Sequence, residues 1–324
     1  MPLSPDERYY IKLKACYLYY NEGKTQSEIA ELFHISRPTL IKLIGEAKEE
    51  GIITFEIHDT RMGKRHIELE QVIRKKLGLL DVKILSVGSP SQEALNSSIG
   101  SAAAQYFLNV LKSGMTVGIG WGNTLQTMTN YIPPDSARRD ITVVPLLGGM
   151  RTQSSENPYA LASTLCERVA SNFQNSSSST FLAPLISQDE ALTETLKNSN
   201  DIKALFEQMM RMDIAIVGID GDPAHSTTVK KEDTLEKIYD ELIADACVGN
   251  VCSHFYDAQG NLPKLSISGR MITVPVEALR KTPYVIGAAG GEFKAPSILG
   301  AARARLFNIL ITDEFTAKKI ANLK

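Results

Sequence analysis

From about residue 81 to the end of the chain, short apolar stretches alternate with helical segments. The apolar stretches are four to seven residues long and rich in β-branched residues, which is typical of buried strands. Strands that alternate with helices in this way form a mostly parallel sheet covered on both faces, so the segment is predicted to be α/β. The predicted strands are 82–87, 115–119, 141–147, 180–185, 214–217, 284–288 and 309–312, and the predicted helices are 91–112, 158–173 and 295–306.

The first sixty residues follow a different pattern. Apolar residues at three- and four-residue spacing predict three helices within residues 6–51. Thr25 and Glu28 form a capping box at the start of the second helix, and Ser36 caps the third. The β-branched run 52–57 predicts a strand, which would make the module a winged one.

Residues 26–47 have the stereochemistry of a helix-turn-helix. Ala30 is small where two helices would cross, and apolar residues occupy the buried offsets of both helices. No acidic residue occurs between positions 32 and 45, and His34 stands where such turns commonly have glycine, which predicts turn strain. A simple three-helix packing module is the alternative, but the complete set of offsets favours binding of double-stranded DNA. The predicted DNA-binding residues are Gln26, Ser36, Arg37, Thr39 and Lys42.

The two patterns divide the chain into a DNA-binding domain at 1–58 and an effector and oligomerisation domain at 81–324. The connector, 59–80, contains a helix and carries six basic against two acidic residues between positions 61 and 76. Large domains of this kind are expected to hold two modules on paired half-sites, in a homodimer or homotetramer.

Composition excludes several classes of protein. The formal net charge of the 324-residue chain is −2, so the chain is not basic throughout. No apolar run approaches the roughly 18 residues of a membrane span, and the N-terminus has no signal-peptide core, so we expect a cytoplasmic protein without a membrane partner. Four scattered cysteines do not form a disulfide scaffold or match a zinc-site spacing, and we predict no cofactor and no metal.

Three glycine turns each follow a predicted strand: Gly120–Thr124, Gly148–Gly149 and Gly290–Gly291. In an open α/β sheet, turns after parallel strands meet at one edge, where ligands bind. Backbone amides there can bind an anion, while Lys294 adds a cation and Glu292 an acceptor for hydroxyl groups. Any one of these turns could be mere turn chemistry, but the three together favour a small anionic ligand such as a phosphorylated polyol.

At this point the sequence resembles a known family. The stretches TQSEIAELFHISRPTLIKLIGEAKEEGIITFEI, GIGWGNT, VVPLLGGM, DIAIVGI, GNVCSHFYDAQG and GAAGGEFKAPSILGA are similar to the helix-turn-helix and effector domain of SorC-type sugar-responsive transcriptional regulators. The resemblance implies a fold related to ribose-5-phosphate isomerase and glucosamine-6-phosphate deaminase, used to sense a sugar phosphate and not to catalyse. It also implies a set of effector-binding positions: Gly120, Trp121, Gly122, Asn123, Thr124, Gly148, Gly149, Asp257, Gly290, Gly291, Glu292 and Lys294.

The chain departs from that family at two places. Some relatives have a lysine in the stretch aligned with VVPLLGGM, where this chain has Leu147, so no imine with an aldehyde sugar is expected there. Arg303 and Arg305 lie in a stretch where relatives often have glycine, which predicts an altered pocket edge or interface.

The competing class is a sugar-phosphate isomerase or deaminase with an accessory N-terminal domain. Such an enzyme needs a positioned general base and acid. None of the candidates lies in a motif that demands a reaction, so a regulator is favoured over an enzyme and over a small-molecule binder without a DNA role. Those candidates are Asp220, Asp222, His225, His254 and Glu292.

Overall fold

The computed structural model describes residues 5–53, 66–88, 91–149, 161–226, 229 and 233–324. Residue contacts divide the chain into two compact units, Met1–Met62 and Gly63–Lys324. The helices are α1 (Pro5–Tyr20), α2 (Gln26–Leu32), α3 (Arg37–Glu49), α4 (Ile67–Leu77), α5 (Gln92–Val110), α6 (Asn123–Thr129), α7 (Leu161–Ala170), α8 (Glu190–Asn198), α9 (Asn200–Met209), α10 (Asp233–Lys237), α11 (Tyr239–Ala244), α12 (Val276–Lys281), α13 (Ala295–Arg303) and α14 (Glu314–Asn322). The strands are β1 (Asp81–Leu85), β2 (Thr116–Ile119), β3 (Asp135–Arg139), β4 (Thr142–Pro145), β5 (Phe173–Gln174), β6 (Ser177–Ser178), β7 (Ile214–Gly218), β8 (Cys247–Val251), β9 (His254–Asp257), β10 (Tyr284–Ala288) and β11 (Ile309–Asp313).

The small unit packs α1, α2 and α3 around one apolar cluster. The capping box at the start of α2 is formed, because Thr25 Oγ1 accepts the Glu28 amide at 3.3 Å and the Glu28 carboxylate accepts the Thr25 amide at 2.8 Å. His34 has φ = +51°, so a non-glycine residue does occupy the left-handed turn position. The three predicted helices are confirmed. Of the predicted strand 52–57, Ile52 and Ile53 form a bend, and the rest lies outside the described residues.

Ion pairs fasten α1 to the C-terminal half of α3. Arg8 contacts Glu46 at 2.6 Å, and the buried Lys12 contacts Glu50 at 2.6 Å and Glu46 at 3.4 Å. Hydrogen bonding to Arg8 lowers the pKa of Glu46, as does the Lys12 charge. Arg8 and Lys12 of α1 are therefore engaged by carboxylates within the unit, whereas Arg37 and Lys42 in the N-terminal half of α3 are exposed.

The large unit is built on a seven-stranded sheet with the order β1-β11-β10-β7-β2-β4-β6, in which neighbouring strands are parallel. Successive residues of β7 point to opposite faces: Ile214 and Ile216 join a cluster under α5, α6 and α7, while Ala215 and Val217 join a cluster under α4, α9, α12, α13 and α14. Both faces are apolar and covered, as the sequence predicts for a parallel α/β sheet.

Some predicted elements are wrong or displaced. The predicted strand 180–185 is irregular and makes only an isolated bridge, Gly149 with Pro184, because proline has no amide hydrogen to donate to a ladder. The serine-rich stretch after Asn175, which reads as a surface loop, contributes the short edge strand β6. The paired strands β3 and β5, the hairpin β8–β9 and the helices α8 and α9 were not predicted from the sequence.

The helix in the predicted connector is part of the large unit. Its Ile73 is fully buried against the sheet, and Glu70 accepts the amide of Ile84 on β1 at 2.9 Å. Lys76 donates to the carbonyl of Ala321 at the end of α14. Residues 67–77 therefore do not behave as a free linker.

Among the residues that the structure describes, no helix combines the length and hydrophobicity that a bilayer crossing requires.

Candidate functional site

The N-terminal half of α3 exposes the predicted DNA-binding side chains. Leu40, Leu43, Ile44 and Ala47 are buried on one side of the helix, and Arg37 and Lys42 are exposed on the other. Gln26 Oε1, at the start of α2, accepts a hydrogen bond from Arg37 Nε at 3.3 Å. This contact links the first residues of both helices and orients the guanidinium group before any DNA is bound.

Ser36 and Thr39 are hydrogen-bonded to each other at the start of α3. Ser36 Oγ accepts the Thr39 amide at 3.3 Å, and the two hydroxyl groups lie 2.7 Å apart. Both residues are exposed. Their hydroxyls therefore shape the helix N-terminus, which favours an approaching phosphate by its positive dipole end.

The carboxyl ends of β2 and β7 lie side by side in the large unit, and we call the space at these strand ends the crevice. Chain order runs outward in one direction from β2 through β4 to β6, and in the other from β7 through β10 to β11. The two adjacent strands therefore form a topological switch point, the place where open α/β sheets bind ligands. The Trp121 carbonyl lies so close to Gly218 that a Cβ there would be 3.2 Å away, so the two strand ends meet directly.

Lys294 reaches this switch point from the turn after β10. Its Nζ donates to the carbonyl of Ile219, one residue past β7, at 3.0 Å. Burial lowers the pKa of the Lys294 amino group, and the nearby Asp220 carboxylate opposes that shift. A partly desolvated ammonium group with donor capacity left over is suited to bind an anion such as phosphate.

The turn after β2 presents a helix start to the same crevice. Gly122 has φ = +131°, a conformation that side-chain-bearing residues avoid, and α6 begins at Asn123 without a side-chain cap. The first-turn amides of a helix have no acceptor within it. Thr124, predicted to offer a hydroxyl to the ligand, is buried and donates instead to Asn96 Oδ1 at 3.2 Å.

The turn after β10 is fixed by hydrogen bonds to residues at the end of β11 and the start of α14. The Gly291 amide donates to Asp313 Oδ2 at 3.0 Å and lies 2.8 Å from Thr316 Oγ1, so it is not available to a ligand. Gly290 packs against Ile99 and Asp313 without room for a Cβ. Glu292 is exposed, and its contact with ligand hydroxyls stays a prediction. In this turn, the Lys294 amino group is better placed to contact a ligand than the Gly291 amide, which fixes the backbone of the turn instead.

The turn after β4 differs from the prediction. The Gly148 amide donates to the Ile272 carbonyl at 3.0 Å and the Gly149 amide donates to the Ala183 carbonyl at 2.8 Å. Both amides are therefore engaged by the protein and cannot bind an anion. A Cβ at Gly148 would lie 2.5 Å from the Pro184 carbonyl oxygen, so glycine is required there for close backbone approach.

This difference predicts the effect of two alanine substitutions. Gly148→Ala is expected to destabilise the large unit by about 1–3 kcal/mol, because the backbone of Pro184 cannot move away cheaply. Gly45→Ala, in the exposed part of α3 where a Cβ meets nothing within 4 Å, is the matched control. It is expected to raise the free energy of unfolding by up to about 1 kcal/mol. Urea unfolding monitored by circular dichroism measures both, and a neutral Gly148→Ala variant would contradict the assignment.

Asp257 is also placed differently from the prediction. Burial raises the pKa of its carboxyl group, but hydrogen bonds from Asn261, Gln259 and Gly260 outweigh this effect and lower it. Both carboxylate oxygens are thus used in the turn after β9, which packs beside Gly300 on α13. Arg303 donates to the carbonyl of Ala258 in the same turn, so this departure from the family supports a turn.

Asp220, Asn250 and Phe293 are further candidate ligand contacts at the switch point, and among them the sequence indicated Asp220 alone, as a candidate for catalysis. Asp220 lies two residues past β7, its amide donates to the Asn250 carbonyl at 3.0 Å, and its carboxylate accepts from Ser226 Oγ at 2.6 Å. Asn250 is buried, and its Nδ2 has no acceptor among the described residues. Phe293 is exposed beside Lys294. A position just past a buried strand was the available signal for Asp220, whereas Asn250 had none.

A separate cavity of about 680 Å³ lies between α9, α12 and the tip of the β8–β9 hairpin. His254, one of the candidates for enzymatic catalysis, lines it and donates a hydrogen bond through Nε2 to the Val274 carbonyl, 2.7 Å away. Since a carbonyl only accepts, Nε2 carries the hydrogen. None of the predicted effector-binding residues lines this cavity, so His254 does not belong to the crevice.

Comparison with known proteins identifies the family. The family described as "Putative sugar-binding domain" matches residues 63–322. The sorbitol operon regulator of Klebsiella pneumoniae is 29% identical over 98% of this chain and 99% of that protein, and the deoxyribonucleoside regulator of Bacillus subtilis is 29% identical over 98% of each. The crystal structure of the full-length sorbitol operon regulator SorC from K. pneumoniae superposes with a TM-score of 0.72 and 28% identity, covering 98% of this chain and all of that one. These matches confirm the resemblance inferred from the sequence motifs and the mostly parallel α/β fold. Because the family match spans most of the chain, this protein belongs to the family defined by that sugar-binding domain.

Proposed function

We propose that this chain is a DNA-binding transcriptional regulator of carbohydrate metabolism genes whose binding to operator DNA is controlled by a phosphorylated sugar. The observation that carries the proposal is the Lys294 amino group, held at the switch-point crevice of a sugar-binding-domain fold. The exposed N-terminal half of α3 supplies the DNA-binding surface. Relatives of nearly full length are named as a sorbitol operon regulator and a deoxyribonucleoside regulator, which supports a regulatory function here.

In the proposed complex, Lys294 and the first-turn amides of α6 bind the phosphate. Asn250 and Glu292 contact the hydroxyl groups of the sugar, and Asp220, whose carboxylate oxygens both have protein donors, holds Asn250 through the backbone bridge. Trp121 lies next to the end of β7, where its carbonyl approaches Gly218. Amides and a lysine suit the anionic end of such a ligand, while a carboxylate and a carboxamide suit its polar end.

The proposal extends to coupling between the two units. A homodimer or homotetramer would hold two copies of α3 at the spacing of paired half-sites. A ligand changes DNA affinity only through its different affinity for the DNA-binding and DNA-free arrangements, and such coupling is typically about 1–3 kcal/mol.

The enzyme alternative is less consistent with the crevice. Asp220 accepts from the Gly221 amide at 2.9 Å and from Ser226 Oγ, so both carboxylate oxygens have protein donors. His225 Nδ1 lies 3.0 Å from Asp222 at an exposed position. His254 lines the other cavity. The one carboxylate–imidazole pair among these candidates, Asp222 with His225, is exposed, and the relatives described above are named as regulators.

A thermal-shift screen against phosphorylated sugars tests the proposal. A ligand that binds only the folded state raises the unfolding midpoint by mass action, whereas the unphosphorylated sugar at equal concentration is the control. The ligand found in this way should also change operator affinity in a gel-shift titration of the full chain. The absence of any stabilising phosphorylated sugar would contradict the proposed effector class.

Arg37→Ala is expected to weaken specific operator binding by about 1–3 kcal/mol, because a guanidinium that contacts a guanine by two hydrogen bonds contributes that much discrimination. Lys42→Ala is the matched comparison on the same face. It should weaken specific and non-specific binding alike and reduce the salt slope by about one unit, as a phosphate contact does. Fluorescence anisotropy over a salt series measures both, and an Arg37→Ala variant that keeps its sequence preference would remove Arg37 from base recognition.

A further inference from the structure

An aromatic side chain forms an exposed wall beside the Lys294 amino group. Phe293 lies in the 3-10 turn Glu292–Lys294 and is 43% exposed. The Lys294 Nζ lies 5.9 Å from the centroid of its ring. The ring therefore lies next to the group that is proposed to bind the phosphate.

Two glycines hold the ring in place. A Cβ at Gly291 would lie 2.8 Å from Phe293 Cε1, and a Cβ at Gly221 would lie 3.3 Å from Cε2. The ring thus rests on backbone from the turns after β10 and after β7. A side chain at Gly291 would overlap the ring, and one at Gly221 would need the ring to shift by a few tenths of an ångström, so both glycines make room for the ring in this position.

A polar pair adjoins the same ring. The His225 and Phe293 ring centroids are 5.7 Å apart with an interplanar angle of 42°, and His225 Nδ1 lies 3.0 Å from both oxygens of Asp222. The aromatic surface is therefore bordered on one side by the cation of Lys294 and on another by a carboxylate–imidazole pair. A ligand that fits this border has an anionic end, an apolar face and hydroxyl groups at its rim.

We propose that Phe293 determines specificity in the effector site by selecting the ring form of a sugar phosphate over the open-chain polyol phosphate with the same carbon skeleton. The inference rests on the proposed function and names the class of ligand more narrowly. A pyranose or furanose ring presents a face of C–H groups, which are electropositive and suit the electronegative face of an aromatic ring. An open-chain polyol has no such face and loses more conformational freedom on binding.

The test compares matched pairs of ligands on the full-length protein by isothermal titration calorimetry. The pairs are glucose 6-phosphate with glucitol 6-phosphate, mannose 6-phosphate with mannitol 6-phosphate, galactose 6-phosphate with galactitol 6-phosphate, and ribose 5-phosphate with ribitol 5-phosphate. Inorganic phosphate is measured alongside. The tightest binder should be a ring-forming member, and Phe293→Ala should weaken it by about three- to tenfold while leaving inorganic phosphate unchanged, as expected for the loss of one aromatic contact.

Phe293→Tyr keeps the aromatic ring and should retain most of the affinity for the ring-forming sugar phosphate. Phe293→Leu keeps apolar volume without an aromatic ring and should lose affinity as Phe293→Ala does. The inference is overturned if an open-chain phosphate binds most tightly, if Phe293→Ala affects both members of a pair equally, or if no sugar phosphate binds better than inorganic phosphate. Different results would overturn the proposed function. These are that neither inorganic phosphate nor any sugar phosphate shows saturable binding, or that they bind equally well to a Lys294→Met variant.

Discussion

Replacing Asp313 with alanine is expected to lower the free energy of unfolding of the large unit by about 3 kcal/mol. Asp313 ends β11 and caps α14, accepting the amides of Phe315 and Thr316 at 3.0 and 2.9 Å. Its other oxygen accepts the Gly291 amide and the Thr316 hydroxyl. The carboxylate is 2% exposed, so its removal leaves several buried donors without water. A lost N-cap costs about 0.5–2 kcal/mol and each buried unsatisfied donor about 1–3 kcal/mol, not additively.

Asp189→Ala is the matched control for this prediction. Asp189 also caps a helix, α8, but it is exposed and accepts the amide of Leu192 alone by its side chain. We expect its loss to cost about 1 kcal/mol. Asp313→Asn, which keeps one capping oxygen and removes the charge, should fall between the two alanine variants. Urea denaturation followed by circular dichroism measures all three, and equal losses for Asp313→Ala and Asp189→Ala would show that the link to Gly291 has no energetic weight.

The same network explains why the glycine turns were only partly interpretable from the sequence. Gly148–Gly149 and Gly290–Gly291 have the same local pattern, a glycine pair after a buried strand. Their amides differ in partner: Ile272 and Ala183 accept from the first pair, and Asp313 from Gly291. These acceptors come from distant parts of the chain, so the local pattern predicts the turn but not whether its amides are free.

Local signals, by contrast, predicted the helix-turn-helix well. The caps by Thr25 and Ser36 and the strained turn at His34 depend on contacts within three residues, and all three are confirmed. The sheet was predicted because strands buried on both faces have continuous apolar runs. The β8–β9 hairpin was missed because its turn residues, Cys252 and Ser253, adopt positive φ without the glycine or asparagine that normally marks such a turn.

The local sequence around Asp257 predicts a turn, whereas the family resemblance predicts an effector contact. The order Asp257, Gln259, Gly260, Asn261 is typical of a turn in which an aspartate accepts from the following amides. The resemblance assigned that aspartate to the effector site, yet its oxygens are used locally. Asn250 is the opposite case, since only the antiparallel bridge to Asp220 brings it to the crevice.

Replacing Lys294 with methionine is expected to weaken binding of the effector by about 10- to 100-fold and to abolish the effector's influence on DNA, with operator affinity in its absence unchanged. A charged hydrogen bond contributes about 1.5–3 kcal/mol, which corresponds to that range. Methionine retains the apolar stem of lysine and removes a charge whose burial is unfavourable. The unfolding midpoint of the free protein should therefore not fall, which separates a lost contact from a damaged fold.

Lys318→Ala is the matched control, because Lys318 is an exposed lysine of the same unit that pairs with Glu314 on α14. Calorimetry with the phosphorylated sugar and gel shifts with and without it distinguish the outcomes. If Lys294→Met binds the effector as the wild type does, the phosphate is not held at the switch point. If it loses effector binding but still responds on DNA, the crevice is a ligand site that does not control the helix-turn-helix. We expect Lys294→Met to lose both effector binding and the response on DNA, while operator affinity and stability stay intact. This combination results when the crevice is coupled to α3.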